Sequence, residues 1–257
     1  MSQKLADKTA LITGSSRGIG RAVALAFAKE GAGLIGVHYT ANPDAAQSTT
    51  RDIEALGVKA VAVQADLRQG KQAADNLCAQ FSEAARAETG SAGLDILVNN
   101  AGIAPAVPLK HTTEAVFDEV MTINYKAPFF LIQAVADHIR DNGRIVNVST
   151  GFTRIAAPTH PAYAASKGAL ETLTLALAPD FATRGITVNA VMPGVTETDM
   201  NAEWLASPEA RASAEALSVF SRVGRADDVA DVIAFLASND ARWTTGQIID
   251  ATGGARI

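Results

Sequence analysis

The chain has 257 residues, 48 % of them apolar and 19 % charged, with a formal net charge of −5. That length and composition suit one large α/β domain with a substantial core, and an acidic balance is not the basic footprint of a nucleic-acid binder. There is no run of 18 apolar residues to span a membrane. The opening residues up to Lys8 lack a secretory apolar core. Cys78 is the single cysteine, so no intrachain disulfide can form, and no Cys/His cluster suggests a metal. A cytoplasmic enzyme or binding protein without a metal is the expectation.

In chain order, the apolar run Thr9-Ala10-Leu11-Ile12-Thr13 has a buried-strand pattern and stops at Gly14. Gly14-Ser15-Ser16-Arg17-Gly18-Ile19-Gly20 follows, and then a helical run through Ala22, Val23, Leu25 and Phe27. A strand, a glycine-rich turn and a helix make a phosphate cradle: glycines admit the backbone to close range and the helix N-terminus attracts anions. Gly14, Ser16, Arg17, Gly18, Ile19 and Gly20 are therefore candidate dinucleotide contacts. The spacing is Gly-x-x-x-Gly-x-Gly and not the commoner Gly-x-Gly-x-x-Gly.

Residues 34–39 read as a second strand. In a dinucleotide fold an acid at its end would bond the ribose 2′-hydroxyl. Here Tyr39, Thr40, Ala41 and Asn42 stand there, with no acid before Asp44. Arg17 offers a cation instead, so NADP(H) is favoured over NAD(H), with Tyr39, Thr40 and Asn42 lining the site. Residues 44–56 read as a helix and 59–64 as a third strand, whose exit loop with Asp66 and Leu67 can meet an adenine. A long polar helix is expected from Arg68 to about Thr89. Leu94-Asp95-Ile96-Leu97-Val98 is a fourth strand, followed at once by Asn99-Asn100-Ala101-Gly102, small and amide residues that let a cofactor approach.

Residues 113–141 read as a long helix interrupted at Ile123-Asn124-Tyr125, because a mid-helix Asn competes for the backbone. A strand is expected over 143–149, ending at Ser149 and Thr150. Then comes Tyr163-Ala164-Ala165-Ser166-Lys167 on a helix opened by Pro161. Positions four apart share a helix face, so Tyr163 and Lys167 reach one pocket as a general acid/base pair. Bringing the phenol from near 10 to about 7 needs about 4 kcal/mol, which requires a partly enclosed site. A sixth strand over 186–192 ends at Pro193-Gly194. Residues 201–217, Ala-rich with Pro208 inside, suit two short helices forming a mobile flap, and our boundary for that flap is about 195–217. A helix over 228–237 and a strand over 247–250 close the chain. Alternating strands and helices argue for one doubly wound parallel sheet with helices on both faces and a single domain over 1–257.

With these residues located, the chain resembles the short-chain dehydrogenase/reductase family of about 250 residues, in particular 3-oxoacyl-ACP reductase-like carbonyl reductases. The resemblance rests on the order Thr13-Gly14-x-x-x-Gly18-Ile19-Gly20, Asp66, Asn99-Asn100-Ala101-Gly102, Asn124, Ser149-Thr150, Tyr163-x-x-x-Lys167, Pro193-Gly194 and Gly246-Gln247-Ile248-Ile249. It implies a seven-stranded Rossmann-type sheet, hydride transfer between a nicotinamide and a ketone or secondary alcohol, and a homodimer or homotetramer. By position it implies Tyr163 as proton donor, and Lys167 holding the nicotinamide ribose and depressing the Tyr163 pKa. Asn124 would hold a proton-relay water, and Pro193, Gly194, Val195, Thr196 and Thr198 would cover the nicotinamide. An NAD-linked alcohol dehydrogenase and a non-catalytic dinucleotide-binding regulator are the rival readings. The chain departs from the family at three places. The substrate-orienting hydroxyl falls on Thr150, with Ser149 the alternative. The segment between Asp66 and Leu94 is longer by roughly two helical turns. The tail reads Asp250-Ala251-Thr252-Gly253-Gly254, where the family often has Asp before the glycine pair.

Overall fold

A computed structural model describes residues 3–255. β1 (Thr9–Ile12) leads through the glycine turn into α1 (Gly18–Lys29), β2 (Leu34–Tyr39), α2 (Pro43–Glu54) and β3 (Lys59–Gln64). α3 (Lys71–Thr89), β4 (Leu94–Asn99), α4 (Glu114–Met121) and α5 (Ala127–Val135) follow, then β5 (Ile139–Val148), α6 (Pro161–Ala182) and β6 (Thr187–Pro193). After a small insertion the chain ends with α9 (Ala226–Ala237) and β9 (Ile248–Ala251). The insertion holds β7 (Thr196–Glu197), α7 (Ala202–Leu205), α8 (Pro208–Glu215) and β8 (Gly224–Arg225).

Seven strands form one parallel sheet in the order β3-β2-β1-β4-β5-β6-β9. The chain winds outward from β1 to β3 and then returns to place β4 on the other side of β1. That reversal opens a crevice at the carboxyl ends of β1 and β4, where α/β sheets bind their ligands. The inner strands β1, β2, β4 and β6 are buried on both faces, and their side chains alternate between two cores. Ala10, Ile12, Ile96 and Val98 face α1, α2 and α9, packing with Phe27, Ile53 and Ile233. Leu11 and Leu97 face the other layer, packing with Leu77 and Phe81 of α3, Leu131 of α5 and Leu170 of α6. Each such fully buried side chain contributes about 1.5–3 kcal/mol. A third, small cluster of Leu205, Ala214 and Val223 holds the insertion together, with Val195 against it.

Two boundaries differ from the sequence reading. The helix expected to run to about Asp141 ends at Val135, and β5 begins at Ile139 opposite Leu94. The cause is a long-range contact. The Arg184 guanidinium, beyond α6, donates to the carbonyls of Ala136 (2.7 Å) and Ile139 and pairs with Asp141 at 2.8 Å. It thus satisfies carbonyls that a continuing helix would otherwise bond. The expected interruption at Asn124 is a π-helical turn over Thr122–Lys126, a local widening that recurs at functional sites. The long segment before β4 is a 3₁₀ turn (Leu67–Gln69), Gly70 at φ +56°, and the 19-residue α3, whose Phe81 packs against Gly36.

Candidate active site

The crevice is a cleft of about 610 Å³ that runs from the glycine turn to the start of α6. Gly14 adopts φ +65°, and a Cβ there would lie 3.0 Å from Ala101 Cα, so glycine satisfies both the turn and the close approach. Asn100 fastens the two strand ends: its Nδ2 donates to Thr13 O at 2.8 Å and Gly14 O at 3.1 Å. Thr13 Oγ1 accepts from the amides of Asn100 and Ala101 at 2.9 and 3.0 Å. The first turn of α1 carries no acidic side chain, and no side chain caps it. Its free N–H groups and positive dipole end are left for an anion.

Ser16, Arg17, Gly18 and Ile19 line this end of the cleft, and Tyr39, Thr40 and Asn42 line the rim above β2. Asp66 and Leu67 lie beyond them. Asp66 is clamped by Arg68, whose Nε and Nη2 donate at 2.8–3.1 Å, and this pair holds the Asp66 carboxyl below its usual range. At the other end Gly102, Thr150, Tyr163, Lys167, Pro193, Gly194, Thr196 and Thr198 complete the lining. Three expected residues lie elsewhere. Gly20 packs under the turn, where a Cβ would sit 2.4 Å from Gly14 O. Val195 joins the insertion cluster. Asn124 is fully buried behind the cleft wall.

Asn124 is saturated by protein. Its Oδ1 accepts from Ile103 N at 2.9 Å, and its Nδ2 donates to Ile103 O at 2.9 Å and to Ser166 Oγ at 3.1 Å. It ties the loop after β4 to α6 and places Gly102 against Lys167; a Cβ on Gly102 would approach Asn124 Oδ1 at 3.1 Å and Lys167 Nζ at 3.4 Å. Lys167 is 3 % exposed and donates to Val148 O at 2.7 Å. Burial lowers its pKa to about 8.

Tyr163 shows the opposite shift to the one expected. Burial raises its pKa, and a hydrogen bond with the Thr150 hydroxyl partly opposes this. The two candidate hydroxyls differ in their partners. Thr150 faces Tyr163, whereas Ser149 Oγ donates to Glu171 Oε1 at 2.5 Å, an oxygen it shares with Thr153 Oγ1 at 2.8 Å. Both residues lie just beyond β5 and both line the cleft, but the Ser149 hydroxyl is engaged by Glu171. Phe152, His160 and Tyr163 form an aromatic wall with ring centroids 5.3–6.4 Å apart. His160 thus belongs to the neighbourhood of Tyr163, with its pKa lowered by partial burial. The carboxylate in the tail, Asp250, accepts from Thr252 N and Oγ1 at 2.8 and 2.6 Å, and Thr252 abuts Gly194.

The sequence reading missed His38, Arg68, Glu119 and Met200, which also line the cleft. His38 was legible in principle, since strand alternation puts it on the same face as Leu34 and Gly36. Glu119 and Met200 arrive by tertiary packing and leave no local signal.

The family profile described as Enoyl-(Acyl carrier protein) reductase matches residues 14–256. Versicolorin reductase 1 of Aspergillus parasiticus is 36 % identical over 263 residues, covering 98 % of this chain and 97 % of the relative. The crystal structure of the angucycline C-6 ketoreductase LanV with bound NADP superposes with a TM-score of 0.94 at 44 % identity, covering 99 % of this chain and 97 % of that one. LanV with bound NADP and rabelomycin superposes with a TM-score of 0.90 at 43 % identity, covering 98 % of each. The chain belongs to the short-chain dehydrogenase/reductase family. It is an oxidoreductase of that family, moving hydride between a nicotinamide cofactor and a ketone/secondary-alcohol pair. The cleft of this dehydrogenase/reductase fits the dinucleotide on its own evidence: a turn that only glycine can form, an uncapped helix N-terminus, and a buried lysine at the far end. Among the described residues there is no group of metal-ligating side chains, and no helix is long and apolar enough to cross a membrane.

Proposed function

We propose that this enzyme is an NADPH-dependent ketoreductase acting on carbonyl groups borne by aromatic ring systems, with Thr150, Tyr163 and Lys167 as its catalytic residues. The observation that carries the reading is that Thr150, Tyr163 and the buried Lys167 come together at the end of the cleft opposite the glycine turn. Two adjacent hydroxyls suit a carbonyl oxygen: Thr150 orients it and Tyr163 gives it a proton. A phenol held above its ordinary pKa stays protonated at neutral pH and is a ready donor, which suits reduction. The bound dinucleotide supplies the hydride. Lys167 stands one helical turn from Tyr163, placed to hold the nicotinamide ribose and to return a proton. Asn124 acts through the loop it anchors, keeping Gly102 and Lys167 in register. Positioning and stabilisation of charge developing on the oxygen dominate such a site.

Arg17, Tyr39, Thr40 and Asn42 support NADPH over NADH, since no carboxylate among them would repel a 2′-phosphate. Bound NADP in LanV agrees with this. The aromatic wall of Phe152 and His160 beside Tyr163 supports a flat substrate, in keeping with the versicolorin, angucycline and rabelomycin of the relatives' names. The outward sides of α4, α5 and α6 expose Phe117, Phe129 and Leu175, apolar surface that supports a homodimer or homotetramer. A lone buried Cys78 agrees with a cytoplasmic setting. The test is a panel of aromatic and aliphatic ketones followed by NADPH absorbance, repeated with NADH. Turnover of aromatic ketones with a lower KM for NADPH is expected. Equal or better use of NADH, or dinucleotide binding without turnover of any ketone, would overturn the reading.

A further inference from the structure

His38 has no place in the reaction, yet both of its ring nitrogens are engaged beside the cofactor cleft. It is 1 % exposed at the end of β2. Its Nδ1 accepts from the Gly14 amide at 2.9 Å and its Nε2 donates to Ala65 O at 3.1 Å. Gly14 is the second residue after β1, and Ala65 the first after β3. One imidazole therefore joins the carboxyl ends of three neighbouring strands. Its own backbone is locked into the same turn: His38 N donates to Ser15 Oγ at 3.1 Å, Ser15 N donates to His38 O at 3.0 Å, and Ser15 Oγ donates to Ile12 O at 2.7 Å.

The Gly14 peptide is thus held from both sides, its N–H by His38 and its carbonyl by Asn100. Gly14 sits at φ +65°, a conformation that glycine leaves as easily as it enters. With the Gly14 amide turned inward to the imidazole and the Ser15 amide bonded to His38 O, the start of the turn is fixed, and it leads into the uncapped N-terminus of α1. The ring must be neutral to do this, because an imidazolium has no acceptor to offer. Burial of the ring keeps it so.

We propose that His38 is a positioning residue for dinucleotide binding: its Nδ1 fixes the Gly14 amide and so presets the phosphate-binding turn. The inference rests on the cleft being the dinucleotide site, which NADPH binding by the unmodified enzyme checks separately. Three variants isolate the acceptor. His38→Asn keeps an oxygen near the place of Nδ1 but does not reach Ala65. His38→Gln reaches toward Ala65 but offers nothing to Gly14. His38→Leu removes both. Dissociation constants for NADPH are read from quenching or enhancement of its fluorescence, with kcat measured at saturating cofactor. The expected result is a Kd raised at least tenfold in the Leu and Gln variants, within threefold of the parent in the Asn variant, and a kcat within threefold throughout. If the Leu variant does not fold, the Asn and Gln pair carries the comparison. A role in holding the strands together alone moves melting temperature in all three and leaves the Asn and Gln variants equal in Kd. That outcome, or a Gln variant binding as well as the parent, overturns the proposal.

Discussion

Replacing Lys167 by Met should make the cofactor-free protein more stable while disabling it. Lys167 is buried, and its pKa falls from 10.5 to about 8 because burial disfavours the charged form. At about 1.4 kcal/mol for each tenfold change, that is a cost to the folded state of about 3 kcal/mol. The sign follows from proton binding. Between about pH 8 and 10.5 the unfolded chain holds the proton and the folded one does not, so stability rises with pH across that window. Below pH 8 the full cost is present. Methionine fills a similar volume without charge, but it leaves Val148 O without the 2.7 Å donor, a loss of about 1–2 kcal/mol. The net gain at pH 7 is about 1–2 kcal/mol, or about 3–6 °C in melting temperature for a chain of this size. Denaturant melts of both proteins at pH 7 and pH 10, without dinucleotide, test it: the gain should be present at pH 7 and shrink at pH 10. A Met variant less stable than the parent at pH 7, with an unchanged denaturant slope, would refute the reasoning that a buried cation is held here at the expense of stability.

Tyr163→Phe should lower kcat by at least about 10²-fold, the lower end for loss of a general acid, with little change in NADPH affinity. Thr150→Val should reduce kcat far more than Ser149→Ala; the reverse ranking in steady-state kinetics moves the orienting role to Ser149. The Thr150 hydroxyl lowers the Tyr163 pKa, so Thr150→Val should also carry the rising, acid-side limb of the alcohol-oxidation pH profile to higher pH. An unmoved limb means that Tyr163 is not the group titrating. Gly36→Val puts a side chain where a Cβ alone would lie 2.6 Å from the Phe81 ring. Overpacking of this kind costs about 1–3 kcal/mol, and an unchanged urea midpoint would show that α3 moves aside freely.

The sheet was legible because its inner strands are short, apolar on both faces and punctuated by glycine and asparagine. The glycine turn and the Tyr163–Lys167 spacing were legible because each works through local geometry, a turn and one helix face. Where the reading failed, a partner distant in sequence decided the outcome. Arg184 ends the helix before β5 from 48 residues away. Glu171 engages the Ser149 hydroxyl through a bond across 22 residues that no strand pattern contains. The Tyr163 pKa went wrong for a related reason. The sequence shows an amine one turn along but not the depth at which both groups lie, and burial raises the phenol's pKa while lowering the amine's. His38 sits between these cases. Its strand face follows from alternation, but its meaning depends on Gly14 and Ala65 arriving at the two ring nitrogens, which only the folded sheet brings about. The pairing of Tyr163 with Lys167 is thus visible in one helical turn, and the fixing of the glycine turn only across the sheet.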